Sequence, residues 1–235
     1  MIFRQLFEPE CSAYTYLVAC EDTREAVLID PVLETAQRDL ALLEELGLKL
    51  KYTVETHIHA DHVTGADRLR DATGSKAAVP EKSGARHADV AIRDGEALKV
   101  GRLELQPLFT PGHTDDHHAY LLRTSEGARV FTGDALMIDG CGRTDFQNGD
   151  AATLYRSVHE QLFTLPDDTL VYPGHDYQQR RVSSIGQEKA RNPRLGGGKT
   201  VEEFVAIMRG LNLPRPKKMD TAVPANRECG EVQSA

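Results

Sequence analysis

The stretch His57-Ile58-His59-Ala60-Asp61-His62 decides how this chain is read. It places four metal-capable side chains within six positions. Just before it runs Leu50-Lys51-Tyr52-Thr53-Val54-Glu55, whose apolar alternation predicts a strand. A packed core has no use for such a cluster, because polar atoms are costly to bury unless they are bonded. Imidazole nitrogens and carboxylate oxygens are donors that zinc, iron and manganese accept. The run therefore predicts a metal centre at a strand-to-loop junction. It is not the helical His-Glu-x-x-His pattern.

Working outward, ligand-capable residues return three more times beside glycine at predicted strand ends. These are Thr110-Pro111-Gly112-His113-Thr114-Asp115, Phe131-Thr132-Gly133-Asp134 and Tyr172-Pro173-Gly174-His175-Asp176. Loops at the ends of a rigid scaffold are the usual seat of catalytic groups. The pair His117-His118 is expected at the surface or a strand edge.

The remaining chain alternates strand and helix signals. Tyr14–Ala19 and Glu25–Ile29 predict a hairpin across a polar turn. Leu33, Ala36, Leu40, Leu43 and Leu46 recur at helical spacing before Gly47. A short helix from Gly65 to Thr73, a strand stopped by Pro80, and strand pairs around Gly101 and Gly127 follow. Asp150 is placed to cap a helix carrying Leu154, Val158 and Leu162. Thr200-Val201-Glu202-Glu203 has the capping-box pattern. Gly196-Gly197-Gly198 reads as a flexible break, and the tail after Leu213 as irregular. No internal repeat is evident. Hairpins followed by strands interleaved with helices predict an α/β (α+β) fold of mixed sheets covered by helices.

Length, charge and cysteine usage bound the rest. The 235 residues suit a single domain, residues 1–235, with a short C-terminal extension from about 191 to 235. The formal charge of −8 argues against nucleic acid and anionic membrane as partners. No run approaches the roughly 18 apolar residues of a membrane span. The start, Met1-Ile2-Phe3-Arg4-Gln5-Leu6-Phe7-Glu8, lacks signal and transit features, so a cytoplasmic location is expected. Cys11, Cys20, Cys141 and Cys229 are far apart and are expected to be reduced and buried.

The His57–His62 run, Pro111-Gly112-His113, Gly133-Asp134 and Pro173-Gly174-His175 together resemble the metallo-β-lactamase superfamily over about residues 10–190. That resemblance implies an αββα sandwich with the metal at one edge. Gly140-Cys141-Gly142-Arg143 resembles both the glyoxalase II thioesterases and the persulfide dioxygenases, which act on glutathione derivatives. The continuation Thr144-Asp145-Phe146-Gln147 resembles the persulfide dioxygenases specifically. So do Asn192-Pro193-Arg194-Leu195, Glu203-Phe204-Val205, Leu211-Asn212-Leu213-Pro214 and Ala222-Val223-Pro224-Ala225-Asn226.

The resemblance implies a glutathione-dependent dioxygenase that oxidises glutathione persulfide with O2 and water to sulfite and glutathione. It implies one mononuclear non-heme Fe(II) per chain, on a facial triad of His57, His113 and Asp134. His59, Asp61, His62, His175 and Asp176 are then expected to orient ligands or support the metal loops. Arg143 and Tyr177 are the expected glutathione-binding residues, and Cys141 is expected to pack. A homodimer is expected by similarity. Two-metal relatives use the same positions, so the ligand set alone suits either one iron or two zincs. The alternative function is a dinuclear zinc hydroxyacylglutathione thioesterase of glyoxalase II type. A non-catalytic sulfur carrier would need a reactive cysteine, and no activating motif accompanies any of the four.

Overall fold

The computed structural model describes residues 1–231. The chain forms two compact units. The first comprises Met1–Ile92, Leu98–Glu104 and the C-terminal residues from Arg215. The second comprises Arg93–Ala97 and Leu105–Pro214.

The first unit carries a six-stranded sheet whose spatial order follows the chain: β1 (Ile2–Glu8), β2 (Ala13–Ala19), β3 (Glu25–Ile29), β4 (Lys49–Val54), β5 (Lys76–Pro80) and β6 (Val90–Ile92). The pairs β1–β2 and β2–β3 are antiparallel, and those from β3 to β6 are parallel. Parallel neighbours need crossovers, which are usually helical. Helix α1 (Ala36–Glu45) joins β3 to β4, and α2 (Ala66–Thr73) joins β4 to β5. Every residue of β2 is buried, as a two-sided interior strand requires. Leu17, Ala26, Leu28, Leu43, Leu50 and Leu69 pack in one apolar cluster of strand and helix side chains. The expected Leu33–Leu46 helix is a short 3-10 turn running into α1.

The second sheet has the order β12-β11-β10-β9-β8-β7, from β7 (Leu98–Val100), β8 (Leu103–Phe109), β9 (His118–Thr124), β10 (Gly127–Gly133), β11 (Leu170–Pro173) and β12 (Ser183–Ser184). Only β10 and β11 are a parallel pair among those whose register is resolved here, and Gly133 lies opposite Pro173. The two strands thus end side by side, and their carboxyl ends lead into Asp134 and His175. Helices α3 (Ala151–Ser157), α4 (Ile185–Arg191) and α5 (Val201–Arg209) supply Leu154, Ile185, Phe204 and Met208 to the core with Leu121 and Val130. Asp150 caps α3 by accepting from Thr153 N, and both bonds of the Thr200–Glu203 capping box are present.

Two expectations are corrected. The tail is not irregular throughout, because α6 spans Met219–Arg227. Pro224 suggested otherwise, since an interior proline removes a helix hydrogen bond. Buried Ala222 and Asn226 hold the helix in place. The triple glycine is not a loose break. Gly196 N donates to Asn192 O at 2.9 Å and Gly197 N to Lys189 O at 2.8 Å, closing α4 in a tight turn.

Candidate metal centre

In the first unit the ligand-capable residues lie at the carboxyl ends of adjacent parallel strands. Asp30 follows β3 and His57 follows β4. Crevices at such strand ends are the usual binding positions in open α/β sheets. Asp30 is buried in the left-handed backbone region (φ 49°). Its Oδ1 accepts from Thr56 N at 2.7 Å and lies 3.2 Å from His59 Nε2. Its Oδ2 accepts from Thr56 Oγ1 at 2.9 Å. Thr56 Oγ1 has thereby given its proton to Asp30. It lies 2.9 Å from His57 Nδ1, so it accepts the Nδ1 proton. This assigns His57 the tautomer whose Nε2 lone pair is available to a metal.

His59 sits between carboxylates. Its Nε2 is 3.5 Å from Glu55 Oε2 as well as 3.2 Å from Asp30 Oδ1. Burial disfavours a charge on His59, but Asp30 and Glu55 outweigh it and hold the imidazole well above its ordinary range. His59 Nδ1 is buried without a hydrogen-bond partner, and the nearest carboxylate oxygen, on Asp61, is 4.0 Å away. That nitrogen could face a cation only with the imidazole neutral, so a metal bound nearby would displace its proton. The ring also packs against His57 and His62, with centroids 4.1 and 4.3 Å apart. His62 Nδ1 pairs with Asp61 Oδ2 at 2.9 Å.

In the second unit His113 Nδ1 donates to Arg143 O at 2.7 Å, which leaves Nε2 as its lone-pair nitrogen. That Nε2 is 3.6 Å from Asp134 Oδ2. Metal–ligand bonds of about 2.1 Å at near right angles place donor atoms about 3 Å apart, so the pair is close to a coordinating separation. His175 Nδ1 donates to the other oxygen, Asp134 Oδ1, at 2.8 Å. Gly174 makes this approach possible, because a Cβ there would lie 2.8 Å from Asp134 Oδ1. Asp176 accepts from Gln178 N, Arg180 N and Arg180 Nε, and so ties the loop after β11 together.

The histidine pair is corrected. His117 and His118 are buried rather than surface residues. Asp134 N donates to His117 Nε2 at 3.2 Å, and His117 Nδ1 donates to Thr110 Oγ1 at 2.9 Å. His117 thus holds the backbone of the carboxylate residue. Its partner Asp134 lies 17 residues further along the chain, a pairing that no local spacing marks.

Arg143 is already engaged at every guanidinium nitrogen. Nε and one terminal nitrogen bind Asp145 at 2.6 and 2.8 Å, the other binds Pro214 O at 2.6 Å, and the group stacks on Phe146. Tyr177 is 76 % exposed and stacks on His175 with ring centroids 6.3 Å apart. Cys141 packs: it is buried beside Met208, and burial pushes its thiol up to about 11. All four cysteines are free, and only Cys11 is partly exposed.

These features agree with comparison to known proteins. The model of the metallo-beta-lactamase superfamily matches residues 9–175, so the chain belongs to that superfamily and has its mixed α/β fold. Persulfide dioxygenase ETHE1, mitochondrial, of Homo sapiens is 52% identical over 231 residues, covering 98% of this chain and 89% of that protein. The crystal structure of ETHE1 from Myxococcus xanthus superposes with a TM-score of 0.94 at 57% identity, covering 98% of this chain and 100% of that one. Hydroxyacylglutathione hydrolase from a Polaromonas species is 41% identical over 172 residues, covering 72% of this chain and 64% of that protein. Within the superfamily the chain is a member of the persulfide dioxygenase family.

Proposed function

We propose that this chain oxidises glutathione persulfide with O2 and water to sulfite and glutathione, using one Fe(II) held by His57, His113 and Asp134. The reaction balances as one persulfide, one O2 and one water giving glutathione, sulfite and two protons. Four electrons pass from the terminal sulfur to O2. The observation that carries the site assignment is the pair of fixed tautomers. His57 and His113 each commit Nδ1 to an oxygen partner, Thr56 Oγ1 and Arg143 O, which makes Nε2 the lone-pair nitrogen. When bound, the iron supplies a seat for anionic sulfur and the redox exchange with O2.

The protein residues then have separate tasks. His175 occupies one oxygen of Asp134, so the other is left for coordination. His117 holds the Asp134 peptide. His59 packs against His57, and His62, paired with Asp61, packs against His59, so that these rings orient His57 without coordinating. Tyr177 offers an exposed phenol to the tripeptide. Arg143 serves glutathione by shaping the 143–146 turn, because its donors are spent on Asp145, Leu213 and Pro214. Asp176 and Arg180 bind each other, and Arg180 also binds Asp139 and Ile138 O within the second unit. Among the described residues no helix is long and apolar enough to cross a membrane.

Metal analysis coupled to O2 uptake tests this reading. One iron per chain and O2 consumption with glutathione persulfide are expected. Two zincs per chain, hydrolysis of S-lactoylglutathione and no O2 uptake would overturn it in favour of a thioesterase.

A further inference from the structure

Asn226 lies in α6, more than 160 residues from the histidine-rich loop, and it is buried. Its Nδ2 donates to His59 O and His62 O, each at 2.9 Å. Its Oδ1 accepts from Thr64 N at 2.8 Å. Both amide protons and an oxygen lone pair are therefore spent on one loop. The residues that follow reinforce the contact. Asp67 N donates to Cys229 O at 3.1 Å, and Cys229 packs among Ile58, Ala66 and Val79. Gly230 (φ +92°) sits so close that a Cβ would lie 2.5 Å from Thr64 O.

We propose that Asn226 is a positioning residue for the metal centre. It fixes the backbone between His59 and Thr64 and so sets the orientation of the side chains on it. The inference rests on the ligand assignment above. The physical reason is local. The segment from His57 to Gly65 forms no continuous helix or strand, so its peptide groups have no regular ladder to satisfy them. One side chain supplies partners to three of those groups. The peptide of His59 carries the imidazole that packs against His57, the peptide of His62 carries the imidazole that packs against His59, and a rotated peptide turns its Cα–Cβ bond with it. The family-like tail segment Ala222-Val223-Pro224-Ala225-Asn226 thereby acquires a specific task.

The test uses the full-length chain with Asn226→Ala, Asn226→Asp and the control Val223→Ala. Val223 packs in the same apolar cluster. Asn226→Asp keeps the acceptor for Thr64 N but turns a lone pair toward two carbonyl oxygens. Both Asn226 variants are expected to bind iron about 10–100-fold more weakly, while Val223→Ala at a comparable loss of thermal stability stays within about twofold of the parent. Hydrogen exchange at the Thr64 amide is expected to quicken in Asn226→Ala, whether or not iron is present. Parent-like iron affinity in both Asn226 variants would overturn the proposal. An equal loss in Val223→Ala would also overturn it, because the effect would then be loss of stability alone. His57→Ala in the same titration separates the two readings. Parent-like affinity there removes the ligand assignment and this inference with it. Lost binding there with unaffected Asn226 variants removes only this inference.

Discussion

The hydroxyl of Thr56 connects the buried carboxylate of Asp30 to the imidazole of His57. It donates to one and accepts from the other, so a proton on Nδ1 and a lone pair on Nε2 follow. Thr56→Val keeps the shape and removes both bonds. It is expected to weaken iron binding about 10–100-fold, whereas Thr56→Ser, which keeps the hydroxyl, stays close to the parent. Iron titration of the two variants checks this, and equal affinity for Val and Ser would sink the tautomer argument. At the other ligand, Asp134→Ala is expected to abolish iron binding and O2 uptake together. Full activity in that variant would refute the triad. His57, His113, Asp134 and His175 stand out in the sequence, since histidines and aspartates at predicted strand ends, three of these beside glycine, have few other uses. Asp30, Thr56, His117 and Asn226 do not. Each is an ordinary polar residue whose partner lies on another segment, so its neighbours along the chain do not reveal its task.

At the scale of elements, the turn at Gly112 is the tightest point near the site. Gly112 has φ +131° and lies against α3, so an added Cβ would fall 2.2 Å from Leu154 N. Gly112→Ala must therefore displace α3 or the loop that carries His113. The expected outcome is a stability loss of a few kcal/mol in urea denaturation, from backbone strain and a main-chain clash together. An unchanged midpoint would contradict the packing described. Helix α1 offers a pH test. Burial raises Asp39 to about 6, against the opposing pull of Arg38. A carboxyl raised in the folded state costs stability once it ionises, so its penalty is absent below about 4, grows up to about 6, and is constant above, reaching on the order of 3 kcal/mol. Asp39→Asn is expected to flatten that part of the stability–pH curve and to compare more favourably with the parent at neutral pH than in acid. Urea midpoints across that interval decide it. Most strands and capped helices were legible from alternation and cap residues. The helix α6 was missed because Pro224 contradicts local helical preference, and burial of Ala222 and Asn226 overrides it.

For the whole molecule, metal binding and folding are linked, because the folded chain alone presents the ligand set. A chain holding iron at 100-fold above Kd gains about 3 kcal/mol over the stripped chain. Calorimetry before and after chelation should show a lower Tm without metal, and identical melting would argue against a built site. The tail segments are also explained at this scale. Within the second unit, Asn192 Nδ2 donates to Gly140 O, Arg194 donates to Cys141 O, and Arg143 donates to Pro214 O. Within the first, Asn226 holds the histidine-rich loop. The C-terminal stretches that resemble the persulfide dioxygenases thus brace the loops that carry the chemistry.

By itself, the sequence determined the superfamily scaffold and the metal-capable residues gathered at its strand ends. Ligand chemistry and strand-end glycines are written in residue identity and short spacing. Only the tertiary structure decided the tautomers of His57 and His113, the support of Asp134 by His117 and His175, the engagement of Arg143, and the reach of Asn226. Each of those depends on at least one hydrogen bond between segments far apart in the chain. Its 3 Å geometry comes from strand register and helix docking, which no local pattern encodes.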